Sequence, residues 1–169
     1  GTSGYIDFQF NPGASTSPEA SVSISNFSPT GIVQGAPTLD GGASGALPTG
    51  ALIVNSTGFN ALFQEVLFGG GFSFRVIFDG AFLAAPSLDG TTFSLNLFDA
   101  SATSPIGLAG ASGNFLTAQL TDGTVALSSD AAPVGNNPGV RFTLAENEVP
   151  APAMLWLLAL GVLALRRTR

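Results

Sequence analysis

The side chains of this chain that are capable of acid–base chemistry are almost all carboxylates. The sequence contains eleven Asp and Glu residues, and it contains no His, Cys or Lys. The usual general bases and covalent nucleophiles are therefore absent, and a serine lacks the base that would activate it. Two carboxylates suffice for glycoside hydrolysis when they lie roughly 5 to 9 Å apart, and the candidates are Asp7, Glu65, Asp79 and Asp99. Because no pattern in the sequence pairs them, we predict no catalytic residues and no enzymatic activity.

Asp-Gly pairs are the only recurrent polar motif, at Asp40-Gly41, Asp79-Gly80, Asp89-Gly90 and Asp122-Gly123. Asp hydrogen-bonds the backbone of turns and Gly adopts positive φ, so the pair favours hairpin turns. Loop carboxylates also bind Ca²⁺, but a calcium site needs several that converge, and the sequence has no Asp-x-Asp-x-Asp run or EF-hand loop. We interpret the pairs as turns and expect no metal or other cofactor.

Apolar residues at every second position dominate the chain, which is the period of half-buried β-strands. Gly, Pro, Ser and Asn clusters separate these stripes, as in antiparallel proteins, and residues 34–50 read as one such loop. Gly69, Gly70 and Gly71 read as a turn rather than a phosphate-binding loop. The predicted strands contain Ile6, Phe8 and Phe10; Val22 and Ile24; Ile32 and Val33; Ala51 to Val54; Phe72, Phe74, Val76 and Phe78; Phe93, Leu95 and Leu97; Leu116, Ala118 and Leu120; Val125 and Leu127; and Val140, Phe142 and Leu144.

One segment has a helical period instead. Phe59, Leu62, Phe63, Val66 and Leu67 recur at helical spacing, after an Asn-Ser-Thr run that begins at Asn55 and offers caps. The sequence therefore predicts an all-β fold, an antiparallel β-sandwich of the jelly-roll type with one short helix. Fourteen Phe residues are expected to supply most of its core.

The charge distribution divides the chain into two parts. Residues 1–148 contain Arg75 and Arg141 against all eleven carboxylates, a net charge of −9. That charge excludes nucleic acid as a partner. Because cysteine is absent, we expect this domain to be stable without disulfides.

Residues 149–169 form a separate C-terminal segment. Val149, Pro150, Ala151 and Pro152 precede thirteen uncharged residues that end at Leu165, about 20 Å of helix. With the preceding residues, the apolar stretch reaches the lower limit for crossing a bilayer. Arg166, Arg167 and Arg169 follow and, by the positive-inside rule, predict a cytoplasmic C-terminus with the rest of the chain outside.

The order of a proline motif, an apolar helix and an arginine end resembles the PEP-CTERM sorting signal of Gram-negative bacteria that produce exopolysaccharide. Ala151 stands where that family usually has Glu. The resemblance implies that Val149 to Pro152 form the processing motif for an exosortase, a multi-pass membrane cysteine transpeptidase, and that Arg166, Arg167 and Arg169 form the membrane stop. The stretch from Tyr5 to Gly13 also resembles the start of an uncharacterised group of PEP-CTERM proteins.

The resemblance leads to one expected function and one alternative. We expect an exported protein, held briefly in the inner membrane by its C-terminal transmembrane helix and then released to the cell surface or extracellular matrix, with the exosortase as partner. Exopolysaccharide is a further candidate partner. The alternative is a glycan-binding module with a permanent single-span anchor; an exposed aromatic or Asn/Asp-lined face would favour glycan binding.

Overall fold

The alternating stripes form strands in a computed structural model that describes residues 1–81, 90–106 and 114–130. That part of the chain is all-β, with ten strands and a single 3₁₀ turn at Thr30–Ile32. The strands are β1 (Thr2–Pro12), β2 (Ala20–Ser28), β3 (Thr38–Asp40), β4 (Gly42–Ala46), β5 (Gly50–Val54), β6 (Ala61–Phe68), β7 (Ser73–Gly80), β8 (Thr91–Asp99), β9 (Leu116–Thr121) and β10 (Thr124–Ser128).

The strands form two antiparallel sheets whose inner faces pack together as a β-sandwich. The larger sheet has the order β10-β9-β8-β1-β6-β3, and the smaller has the order β4-β5-β2-β7. Aromatic pairs join the sheets across the core: Phe8 meets Phe74 edge to face with 5.1 Å between ring centroids, and Phe78 meets Phe93 at 5.7 Å. Ile6, Phe8 and Phe10 on β1 are completely buried, as their alternation predicts.

The predicted short helix is wrong, because its residues form strand β6. Gln64 lies on the inner face and is 1% exposed, while Phe63 lies on the outer face beside Asp7 of β1. A polar residue inside and an aromatic residue outside break the two-residue period and imitate a helical one. Asn55 consequently caps no helix; its amide holds the backbone of Pro18 and Ala20.

Two further predictions fail near the same edge of the sandwich. Residues 34–50, predicted as a loop, contain β3 and β4, which are short and rich in small residues, so they show no apolar stripe. Ile32 and Val33, predicted as a strand, form the end of the 3₁₀ turn and one isolated bridge from Val33 to Val66.

Nine of the twelve phenylalanines in the described residues belong to the core, and five of these are partly buried against it: Phe68, Phe72, Phe74, Phe78 and Phe115. Phe8, Phe10, Phe27 and Phe93 are buried. Phe59 is 50% exposed, and the Phe63 and Phe98 rings contact each other outside the core cluster. The predicted strand through Val140 lies outside the described residues.

The Asp-Gly pairs do not share one role. Asp122 and Gly123 join β9 to β10 with φ values of 53° and 72°, the hairpin turn that the pair predicts. Asp40-Gly41 instead leads from β3 in the larger sheet to β4 in the smaller, with Gly41 at φ 57°. Asp79-Gly80 ends β7, and Asp89 lies outside the described residues.

Candidate functional site

The outer face of the six-stranded sheet contains the most varied chemistry in the described part of the chain. Strand register places one side chain from each strand in a line across this face, which we call the cross-sheet row. Its members, in spatial order, are Ser128, Thr117, Ser94, Gln9, Ala61 and Asp40. The row runs perpendicular to the strands, and most of its side chains are small or polar.

An aromatic cluster lies on one side of the row. The rings of Tyr5 and Phe63 are stacked, with centroids 4.7 Å apart and planes 8° apart, and Phe98 contacts Phe63 at 5.9 Å. All three side chains are partly exposed. Their strands, β1, β6 and β8, are neighbours, so the cluster spans the middle of the sheet.

Asp7 lies beside this cluster, between Asn96 of β8 and Phe63 of β6 in the strand register, and it is 5% exposed. Burial raises the pKa of its carboxyl group above the usual Asp range. Hydrogen bonds from Gln9 and Asn96 act in the opposite direction, and the negative charge of Asp40 adds to the rise. This surface is therefore a partly dehydrated environment for polar groups.

Amide side chains continue along the same strand. Asn11 Nδ2 donates to Gln9 Oε1 at 3.1 Å, and Gln9 Nε2 donates to Asp7 Oδ2 at 2.6 Å. On the neighbouring strands, Thr92 Oγ1 donates to Gln119 Oε1 at 2.6 Å. These bonds hold donors and acceptors in place, and each amide keeps bonding capacity beyond the bonds described here.

Ser94 sits at the centre of the row, between Gln9 and Thr117 in the strand register. It is 7% exposed, and its hydroxyl makes no hydrogen bond within the described residues. Thr117 next to it also has an unpaired hydroxyl there. No side-chain oxygen or nitrogen of the described residues is both shielded from solvent and without a partner. The Ser94 hydroxyl is therefore open to solvent, where it can bond a ligand hydroxyl.

Two buried amides elsewhere, those of Asn60 and Gln64, are structural, because they bond to the backbone. Asn60 Oδ1 accepts from Gly42 N at 2.9 Å, and its Nδ2 donates to Phe10 O at 3.1 Å. Gln64 Oε1 accepts from Leu47 N at 3.0 Å. These side chains fix the loops around β3 and β4 to the larger sheet, so they leave no open binding position.

The candidate carboxylates are only partly brought together. Asp7 and Glu65 share the outer face of the larger sheet, where Glu65 accepts a hydrogen bond from Ser3 Oγ. Asp79 lies on β7 of the other sheet, and Asp99 ends β8, where hydrogen bonds led by that from Ser101 lower its pKa. Among the described residues, no three Asp, Glu, His or Cys side chains form a group able to hold a metal ion.

The predicted sorting residues cannot be placed in this geometry. Val149, Pro150, Ala151 and Pro152, together with Arg166, Arg167 and Arg169, lie outside the described residues. Within the described ranges, no helix has the length and apolar character needed to cross a membrane. No protein-family model matches this chain, and neither do curated proteins or solved structures.

Sequence reasoning missed the aromatic face for identifiable reasons. Tyr5 is one residue before Ile6, so in an alternating strand its side chain lies on the face opposite Ile6 and Phe8. This position is the sequence signal for an aromatic residue on the outer face. Phe63 falls in the segment with helical spacing, and Phe98 is one of the fourteen Phe residues expected to supply most of the core. Only the strand register shows that these residues are neighbours.

Proposed function

We propose that this chain is an exported protein of the cell surface or extracellular matrix of a Gram-negative bacterium, sorted and processed by an exosortase. The observation that carries the proposal is the order of Pro150 and Pro152, an uncharged helix-length stretch, and Arg166, Arg167 and Arg169 at the end. In this proposal the C-terminal helix keeps the chain in the inner membrane as an intermediate, and the exosortase then acts at residues 149–152. Association with exopolysaccharide belongs to the same proposal.

The domain formed by residues 1–148 has properties suited to the cell surface or extracellular matrix. Its β-sandwich has no Cys, so it needs no disulfide chemistry after export. We also propose a jelly-roll-type connection within the sandwich class, because six of the nine connections between successive strands change sheet. No described residue group supports an enzymatic role, and we propose a non-enzymatic one.

Processing is tested by intact mass in a Gram-negative host that expresses the full chain with or without an exosortase. With the enzyme, the mature protein should lack Trp156 and the terminal arginines; without it, the full-length chain should fractionate with membranes. Replacing both Pro150 and Pro152 by Ala should leave the chain uncut, because proline holds the site in an extended conformation outside the helix.

A matched control replaces Pro133 and Pro138 by Ala, outside the signal, and should be processed like the wild type. Wild-type protein that still contains Arg169 in cells with an active exosortase would contradict sorting. That result would support the alternative, a glycan-binding module with a permanent anchor.

A further inference from the structure

We propose that the cross-sheet row and the adjacent aromatic cluster form a binding site for an uncharged polysaccharide. The site consists of Gln9, Ser94 and Thr117 in the row and Tyr5, Phe63 and Phe98 in the cluster. It rests on the proposed function only for the source of the glycan, since the binding chemistry is that of the described domain. Binding and processing are therefore tested, and can fail, independently.

The unpaired hydroxyls are the first argument. Only 7% of the Ser94 surface is exposed, but its hydroxyl is open to solvent and has no hydrogen-bond partner within the described residues. A sugar hydroxyl both donates and accepts hydrogen bonds, so it can pair with Ser94 and Thr117 in either direction. The amide of Gln9, held by Asp7 and Asn11, presents fixed bonding directions beside them.

The aromatic cluster is the second argument. Sugar rings have apolar C–H faces that pack on aromatic side chains, while their hydroxyl edges need polar partners. Binding sites commonly combine an aromatic surface with a few positioned polar groups. Here Tyr5 and Phe98 lie opposite each other on β1 and β8, and Tyr5 precedes Asp7 by two residues and Gln9 by four on the same face of β1. The aromatic surface and the polar partners that a sugar needs therefore lie next to each other on the outer face of the larger sheet.

The direction and spacing of the row favour a chain of sugars over a single one. The row takes one residue from each of the six strands. Neighbouring strands are about 4.8 Å apart, close to the length of one pyranose residue in an extended glycan. An oligosaccharide lying across the strands can thus place successive residues over successive strands.

The charge of the outer face determines whether a charged or an uncharged polysaccharide fits the site. It contains Asp7, Asp40 and Glu65, and no Lys or Arg of the described residues lies on it. Arg75, the single Lys or Arg in the described ranges, is on β7 in the other sheet. A polyanionic glycan would meet like charge without a counter-ion, so the site suits an uncharged one.

The test is isothermal titration calorimetry of the full-length chain with cello-, manno- and malto-hexaose, and with hexagalacturonate as the anionic probe of equal length. At least one neutral hexasaccharide should bind, and hexagalacturonate should bind about tenfold more weakly or not at all. Ser94→Ala and Thr117→Ala should each weaken binding about three- to tenfold, the loss of one hydrogen bond. Phe98→Ala should weaken it by about tenfold or more.

The matched control is Ser23→Ala, on β2 of the smaller sheet, where the serine also has no side-chain hydrogen bond in the described structure. It should bind like the wild type. Thermal melting should show that Ser94→Ala and Thr117→Ala remain as stable as the wild type, because neither hydroxyl is bonded. The proposal is overturned if no neutral hexasaccharide binds at millimolar concentration, if the double Ser94/Thr117 variant binds undiminished, or if hexagalacturonate binds best.

Discussion

Gln9 Nε2 donates a 2.6 Å hydrogen bond to Oδ2 of Asp7, two positions earlier on the outer face of β1. The bond partly offsets the desolvation of a carboxylate that is 5% exposed. The hydrogen bond does not offset the cost of desolvation fully, because the pKa of Asp7 stays above its usual value, with burial as the largest cause. The charge on Asp7 therefore lowers the stability of the folded domain at neutral pH.

Replacing Asp7 by Asn should stabilise the domain at pH 7. Asn has nearly the same shape and its oxygen can still accept from Gln9, but it has no charge to desolvate. In the wild type, a folded-state pKa above the unfolded value of about 3.9 means that the folded protein binds the proton first as pH falls. The unfavourable contribution of Asp7 to wild-type stability should therefore decrease on acidification, and the advantage of the variant should shrink toward about pH 4.

Thermal melting followed by circular dichroism at both pH values measures this difference. Asp122→Asn provides a control for the loss of one carboxylate, because Asn adopts the positive φ of the β9–β10 turn equally well. It should leave the melting temperature at neutral pH unchanged. A lower melting temperature for Asp7→Asn at pH 7, or a difference that grows on acidification, would show that the charge of Asp7 is favourable.

Gln64 should be among the most costly polar residues to remove. Its side chain accepts from Leu47 N at 3.0 Å and donates to Gly35 O at 2.8 Å from a fully buried position. Gln64→Ala leaves both backbone groups without partners and opens a cavity, so we expect a loss of about 2 to 4 kcal/mol in the free energy of unfolding. Urea denaturation measures this loss.

The control for that variant is Gln34→Ala, the same change where the amide makes one exposed 3.4 Å bond to Gly31 O. It should alter the free energy of unfolding by less than about 0.5 kcal/mol. Equal losses for the two variants would mean that the buried amide contributes nothing specific to the loops around β3 and β4.

Sequence pattern predicted the strands whose faces divide cleanly into apolar and polar sides, such as β1, β7 and β8. It failed at β6, where Gln64 satisfies backbone groups inside and Phe63 joins an aromatic cluster outside. Both choices depend on partners distant in sequence, Leu47 and Tyr5, which alternation cannot reveal. The cross-sheet row was hidden for the same reason, since it exists only once six strands are in register.

The β9–β10 turn predicts a strong preference for glycine at one position. Gly123 has φ 72°, and Asp122 before it has φ 53°, so both central residues are left-handed. Gly123→Ala should cost about 1 to 2 kcal/mol in the free energy of unfolding. Gly70→Ala is the matched change, because an added Cβ there meets nothing within 4 Å and φ is not positive. It should be neutral or slightly stabilising, and an equal cost at both positions would contradict the turn assignment.

The C-terminal segment, residues 149–169, should be dispensable for folding. The buried hydrophobic residues of the described core lie between Ile6 and Leu120, and β10 ends at Ser128. A chain that stops after Glu148 should therefore stay soluble, keep an all-β circular dichroism spectrum and melt within a few degrees of the full-length protein. A chain that stops after Phe115 loses β9 and β10, with Leu116 and Leu120 from the core, and should not fold cooperatively. Aggregation of the Glu148 chain, while the full-length protein folds, would show that residues 149–169 are part of the domain and would contradict their role as a removable signal.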